Sequence, residues 1–150
     1  MAGERLTVID ATNAIAGRLS SVVAKRLLRG ERIAIVNSEN AIITGDPKRV
    51  LNMYMKRVSE WRTYYNPEKR GPKIPRTPDR ILKRMVRGML PKKKPKGREA
   101  LKRLRVYIGV PEDLKGVKAV KVKEAELKRD DIKYITLGEL SKLLGGFKVS

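Results

Sequence analysis

Apolar positions in the first third of the chain switch between two periods. Leu6-Thr-Val-Ile9 is a short β-branched run suited to a buried strand. Asp10 to Asn13 supply cap and turn chemistry. Beyond them Ile15, Leu19, Val22, Val23 and Leu27 keep the helical spacing, with Arg18, Lys25, Arg26 and Arg29 largely off that stripe. Gly30 stands where such a helix stops. Arg32-Ile-Ala-Ile-Val36 is the strongest strand signal; Asn37-Ser-Glu-Asn40 breaks it and Ala41-Ile-Ile43 resumes extended structure. Strand, helix and strand with short connections predict an α/β unit with a largely parallel sheet.

Further along, Asp46-Pro47 pairs a cap with a proline at the first helical position, and Val50, Leu51, Tyr54, Met55 and Val58 form one apolar face. Thr77-Pro78-Asp79 opens a second helix with Ile81, Leu82, Met85, Val86 and Leu90 inward. Residues 98–104 read as another short helix leading into the strand Val106-Tyr-Ile108. Val117 to Val122 alternates apolar residues with Lys118 and Lys121, which suggests an edge strand or extended segment. Thr136-Leu-Gly-Glu139 matches a capping box, and Leu137, Leu140, Leu143 and Leu144 make a short helix ended by Gly145-Gly146. With no internal repeat and no long low-complexity linker, a single domain over residues 1–150 is the economical reading.

Charge changes this picture. The chain carries 36 Lys+Arg against 16 Asp+Glu, a formal +20. Like charges at that excess destabilise a compact state unless a polyanion neutralises them, and nucleic acid is the leading candidate. The excess is concentrated: residues 66–105 hold sixteen cations against Glu68, Asp79 and Glu99, a net +13. Residues 66–78 contain four prolines and a glycine, which exclude helix and interior strand and predict an extended basic loop. Lys69, Arg70, Lys73 and Arg76 lie on it. Pro91-Lys-Lys-Lys-Pro-Lys-Gly-Arg98 reads as a second such loop, with Lys92, Lys93, Lys94, Lys96 and Arg98, followed by Lys102 and Arg103. Between the loops, Arg80, Lys83, Arg84 and Arg87 occupy the polar side of the helix. Two basic loops flanking a basic helix can follow a folded phosphate backbone, with Arg offering a planar fork that also stacks on bases. Trp61, Tyr64 and Tyr65, beside Arg57 and Arg62, are suited either to stacking on unpaired bases or to anchoring the first loop in the core.

The chain has no cysteine and no histidine. This removes disulfides, the usual zinc sites, and Ser-His or Cys-His catalysis. The segment from Asp10 to Ser21 sits where an α/β protein could bind phosphate, but it is neither a G-x-G-x-x-G nor a P-loop. A helix cap, with Gly17 permitting close helix–sheet packing, is the simpler reading. The Glu124/Glu126 and Asp130/Asp131 pairs have no catalytic companion. No apolar run approaches the length of a membrane span and residues 1–10 lack a signal-peptide core, so a soluble intracellular protein is expected. No cofactor, metal or small-molecule substrate is expected. A nucleotide-using enzyme and a DNA-compacting protein are the alternatives.

Four stretches, in order, carry a resemblance: Ile9-Asp-Ala-Thr with Ala16-Gly-Arg-Leu-Ser-Ser21, Val36-Asn-Ser-Glu39 with Thr44-Gly45, Val86-Arg-Gly-Met-Leu-Pro-Lys92, and Val106-Tyr-Ile-Gly109. Over roughly residues 6–111 the chain resembles the universal large-subunit ribosomal protein thirteen family, in its archaeal form. The resemblance implies a three-layer α/β/α domain with a small, mostly parallel sheet and a basic excursion over about residues 62–105. It also implies a non-catalytic constituent of the large subunit in the cytoplasmic ribosome. Its partners would be large-subunit rRNA, whose assembly it supports, and neighbouring ribosomal proteins. The rRNA-facing positions it transfers are Arg18, Arg87, Lys92 and Arg98, with Arg70, Lys73 and Arg76 before them. The tail after Pro111 departs from the bacterial pattern.

Overall fold

The computed structural model describes residues 6–61, 64–66, 69, 71, 73–128 and 131–146. Strand β1 (Leu6–Asp10), helix α1 (Ala16–Leu28) and strand β2 (Arg32–Val36) follow the predicted order, and β3 (Ile42–Thr44) comes after a 3₁₀ turn at Ser38–Asn40. Helices α2 (Pro47–Glu60), α3 (Pro78–Gly88) and α4 (Pro95–Lys102) precede β4 (Leu104–Val106), and β5 (Tyr134–Thr136) runs directly into α5 (Leu137–Leu144). β1, β2 and β4 form a parallel sheet in that order, with Leu6 opposite Arg32 and Ile33 opposite Leu104. β3 and β5 pair antiparallel, Ile42 opposite Thr136. Together they make one mixed α/β domain.

The layering follows from connectivity. Both steps, β1 to β2 and β2 to β4, move the same way across the sheet, so right-handed crossovers place both helical connections on one face. The core confirms this. Ile9, Ile33, Ile35 and Leu104 pack with Leu19, Val23 and Leu27 of α1, Ile81, Leu82 and Val86 of α3, and Leu137 and Leu140 of α5. Among the described hydrophobic residues, the opposite side chains Val8, Ala34 and Val36 pack with Leu114, Tyr107 and Ala119, a thin layer built from a 3₁₀ turn and extended chain. The 117–122 segment behaves as expected of an edge: Val120 N–H donates to Val8 O (2.8 Å), and Asp10 N–H donates to Val120 O (3.0 Å).

Several expectations shift. The Asp10–Asn13 segment does not cap α1; the N-cap is Ile15, with no side-chain bond, and Asp10 instead organises a turn. Gly17 is exposed and a Cβ there would meet nothing, so it mediates no close packing. The strand placed at 106–108 lies at Leu104–Val106, in register with β2. Half of the second basic loop is helical, because Pro95 occupies the first position of α4, where its missing N–H costs nothing. Met55 and Leu143, assigned to apolar faces, are exposed.

Asp10 lies at the carboxyl end of β1. Its Oδ1 accepts from the Thr12 N–H (2.9 Å), the Thr12 hydroxyl (2.7 Å) and Asn37 Nδ2 (3.2 Å). Partial burial pushes its pKa up, but those bonds and the nearby Lys121 outweigh it, and the carboxyl is held below the ordinary aspartate value. A carboxyl depressed in the folded state contributes stability that is present above its unfolded value of about 3.9 and lost as pH falls through the folded one. Urea unfolding at a series of pH values should therefore show the stability gap between wild type and Asp10→Asn narrowing as the solution is acidified. A gap independent of pH would break the link.

Candidate nucleic-acid interface

α3 is the base of the site. Its apolar positions face the core, while Arg80, Arg84 and Arg87 are exposed and Lys83 is half-buried. The 73–77 strap runs alongside, pinned at two points. Arg84 Nη2 donates to Lys73 O (2.8 Å), and the buried Ser141 hydroxyl of α5 donates to Arg76 O. Gly146 lets the end of α5 close on the strap: a Cβ there would come within 2.5 Å of Arg76. On the other side, the 91–97 turn folds tightly onto the start of α4, and Arg98 Nε donates to Lys92 O (3.2 Å). Ser141→Ala should cost about 1 kcal/mol, the usual net value of such a bond. Denaturant unfolding would reveal it, and no change would show the strap held by other means.

Between these walls runs a trough. One cavity, about 280 Å³, lies between the strap and α3 and is lined by Lys73, Arg80, Lys83, Arg84 and Arg87 over Ile74, Pro75 and Leu101. A second, about 610 Å³, shares Lys83, Arg87 and Leu101 with it and continues to Lys92, Arg98 and Lys102. A third, about 350 Å³, joins through Arg80 and Lys83 and reaches Arg105 and Tyr107. Asp79, lining this third cavity, is the one carboxylate among the lining residues of all three. Lys93, Lys94 and Lys96 are exposed on the turn and the first turn of α4, where the helix dipole adds positive potential. Arg26 pairs with Glu31 (3.9 Å), far in sequence from the trough, and neither residue lines it.

The remaining sequence-derived positions divide. Arg62 and Arg70 lie outside the described residues. Lys69 is exposed in the turn closed by its own N–H to Asn66 O (3.1 Å). Arg18 lines a separate cavity with Lys128, Thr44 and Gly45 that shares no residue with the trough. Arg57 is stacked between the rings of Tyr54 (5.4 Å) and Trp61 (5.3 Å). Arg103 turns inward, with Nη2 donating to Leu27 O at the end of α1 (2.6 Å), a helix-terminating use. Tyr54 is buried, whereas Trp61, Tyr64 and Tyr65 are exposed. Sequence reasoning did not foresee the parts of Ser141, Gly146 and Gly97; only the capping box hinted at α5's position.

No group of three or more metal-ligating side chains occurs among the described residues, and no helix there is long and apolar enough to cross a membrane. Fold and site together define a basic α/β protein with a cationic trough along α3.

The chain belongs to the ribosomal protein L13 family, whose family model matches residues 4–113. Large ribosomal subunit protein uL13 of Methanocaldococcus jannaschii is 53% identical over 140 residues, covering 93% of this chain and 98% of its own. The uL13 of Archaeoglobus fulgidus is 49% identical over 145 residues (95% and 90%), and that of Pyrobaculum islandicum 51% over 139 (89% and 75%). The tail beyond residue 113 thus lies outside the family model but within the archaeal matches. The protein is a structural component of the large ribosomal subunit and not an enzyme.

Proposed function

We propose that the protein binds large-subunit rRNA through the trough along α3, and that this contact supports assembly of the subunit in the cytoplasmic ribosome. The continuity of the three cavities through Lys83 carries the reading: cations from the 73–77 strap, α3 and α4 converge on one concave track. Lysines there act as point charges toward phosphate, and the arginines as forks. RNA shape and the fit of the strap set specificity more than base-edge reading does. Arg103, committed to α1, is not part of this surface. Neighbouring ribosomal proteins would meet exposed apolar side chains such as Val117 and Val120, in the segment along β1.

An amine-reactive reagent followed by peptide mass spectrometry tests the assignment. Lys83, Lys92, Lys94 and Lys102 should react freely in the isolated protein and be shielded in the intact large subunit. Equal reactivity in the two states would remove the trough from the rRNA contact.

A further inference from the structure

The widest part of the trough differs from the rest. Where the strap side is a channel of about 280 Å³, with Ile74 and Pro75 beneath its cations, the cavity between α3 and α4 is about twice that size, with a floor of Leu90 and Leu101 below its cations. At about 610 Å³ it has the size of a small-ligand pocket. A duplex phosphate backbone needs no such floor, because its charges stay at the rim. A single nucleotide needs both: an apolar surface for the faces of the base and cations for the flanking phosphates.

We infer that, on the rRNA-binding reading above, this cavity receives one unpaired nucleotide turned out of the bound RNA. Its base lies on Leu90 and Leu101, and its phosphates lie against Arg87, Arg98 and Lys102. The walls are set before RNA arrives. Gly97 packs so tightly on Pro91 that a Cβ would lie 2.0 Å from Pro91 O, which fixes the turn forming one side. The bond from Arg98 Nε to Lys92 O holds that guanidinium at the mouth, where its remaining N–H groups can meet a phosphate. The Arg87 side chain has no hydrogen bond or ion pair among the described residues, and lines the same space from α3. Since no carboxylate lines this cavity, it takes the base of a polyanion and not a cationic ligand.

The test uses large subunits and base-specific chemical probing of their rRNA. Subunits with the wild-type protein are compared with subunits stripped of it, and with subunits carrying Leu101→Trp, which fills the cavity without changing its charge. One unpaired nucleotide within the protein's footprint should be shielded in the wild-type subunit, and its reactivity should rise about tenfold on stripping, the scale of a lost base-stacking contact. In the Leu101→Trp subunit that nucleotide alone should become reactive while the rest of the footprint stays. A wild-type footprint made only of paired nucleotides and backbone would overturn the inference yet leave the rRNA surface intact, and this comparison needs no variant to fold. A footprint wholly unchanged by Leu101→Trp in an incorporated protein would overturn it too. Absence of any footprint would remove the underlying reading. A polyglutamate peptide that displaces the protein from rRNA fragments as well as an unpaired-base RNA does would show a surface indifferent to bases, and would also overturn it.

Discussion

Replacing Arg80, Arg87, Lys92 and Lys94 together by glutamate should leave a folded protein that enters large subunits poorly. All four side chains are exposed, and none makes a side-chain hydrogen bond or ion pair among the described residues. Surface changes of this kind stay within about 0.5 kcal/mol of wild-type stability. The drop in net charge relieves self-repulsion, and a glutamate at position 94 favours the start of α4, so the melting temperature should hold or rise. Binding behaves oppositely. If about eight phosphates are engaged, the log–log salt slope is about −6 to −7. Losing four of them flattens it by about 3 to 4 and weakens binding by about two to three orders of magnitude. Titration of a large-subunit rRNA fragment over a range of salt, with sedimentation of subunits from cells expressing the variant, provides both readings. An unchanged slope with normal incorporation would move the rRNA contact off α3.

Gly97→Ala is the complementary case, in which a single methyl group should disturb the fold itself. Gly97 is buried within α4, and the added Cβ would meet Pro91 O at 2.0 Å and Pro91 C at 2.6 Å, both backbone atoms that no rotamer change can move. Alanine is otherwise the better helix former by about 1 kcal/mol, so intrinsic propensity predicts stabilisation. The clash wins. Overpacking of this kind costs about 1–3 kcal/mol, and the distance here points to the upper end. At this chain length each kcal/mol lowers the melting point by about 2–4 °C, giving a fall of about 5–10 °C. Thermal unfolding by circular dichroism decides it; an unchanged or higher melting point would mean that the 91–97 turn relaxes freely.

The pair of variants also marks what the sequence could and could not tell. β1, α1 and β2 were readable because period-2 and period-3.6 patterns follow one another there with turn residues between them, and Arg32–Val36 falls on its predicted bounds. The cationic face of α3 was readable for the same reason. β5 was not, because Tyr134–Thr136 is too short to have a period and becomes a strand only by pairing with β3. The start of α4 was missed because Pro95, among lysines, looks like a breaker until its place at the first helical position is known. Composition counts cations but not their direction. Arg103 and Arg57 were grouped with the surface charges, yet one closes α1 and the other sits between two rings. The trough itself is a tertiary object, since it needs Ser141 and Gly146, some 65 or more residues away, to hold the strap beside α3.

The closing of β1 by a distant segment has a consequence for how the chain is made. Residues 119–121 lie along the outer edge of β1, Ile15 N–H donates to Ala125 O (2.7 Å) and Leu127 N–H to Asn13 O (3.1 Å). β3 likewise waits for β5. During synthesis, then, the first strand emerges early and keeps an unpaired edge through translation of more than a hundred further residues, a state open to strand-to-strand aggregation. Within that interval the cationic stretch emerges too, next to the RNA of the ribosome producing it. Folding cannot finish from the N-terminus onward. The outer edge of the first strand is completed only once the segment that locks it has left the exit tunnel, and until then the chain's own charge repulsion works against self-association.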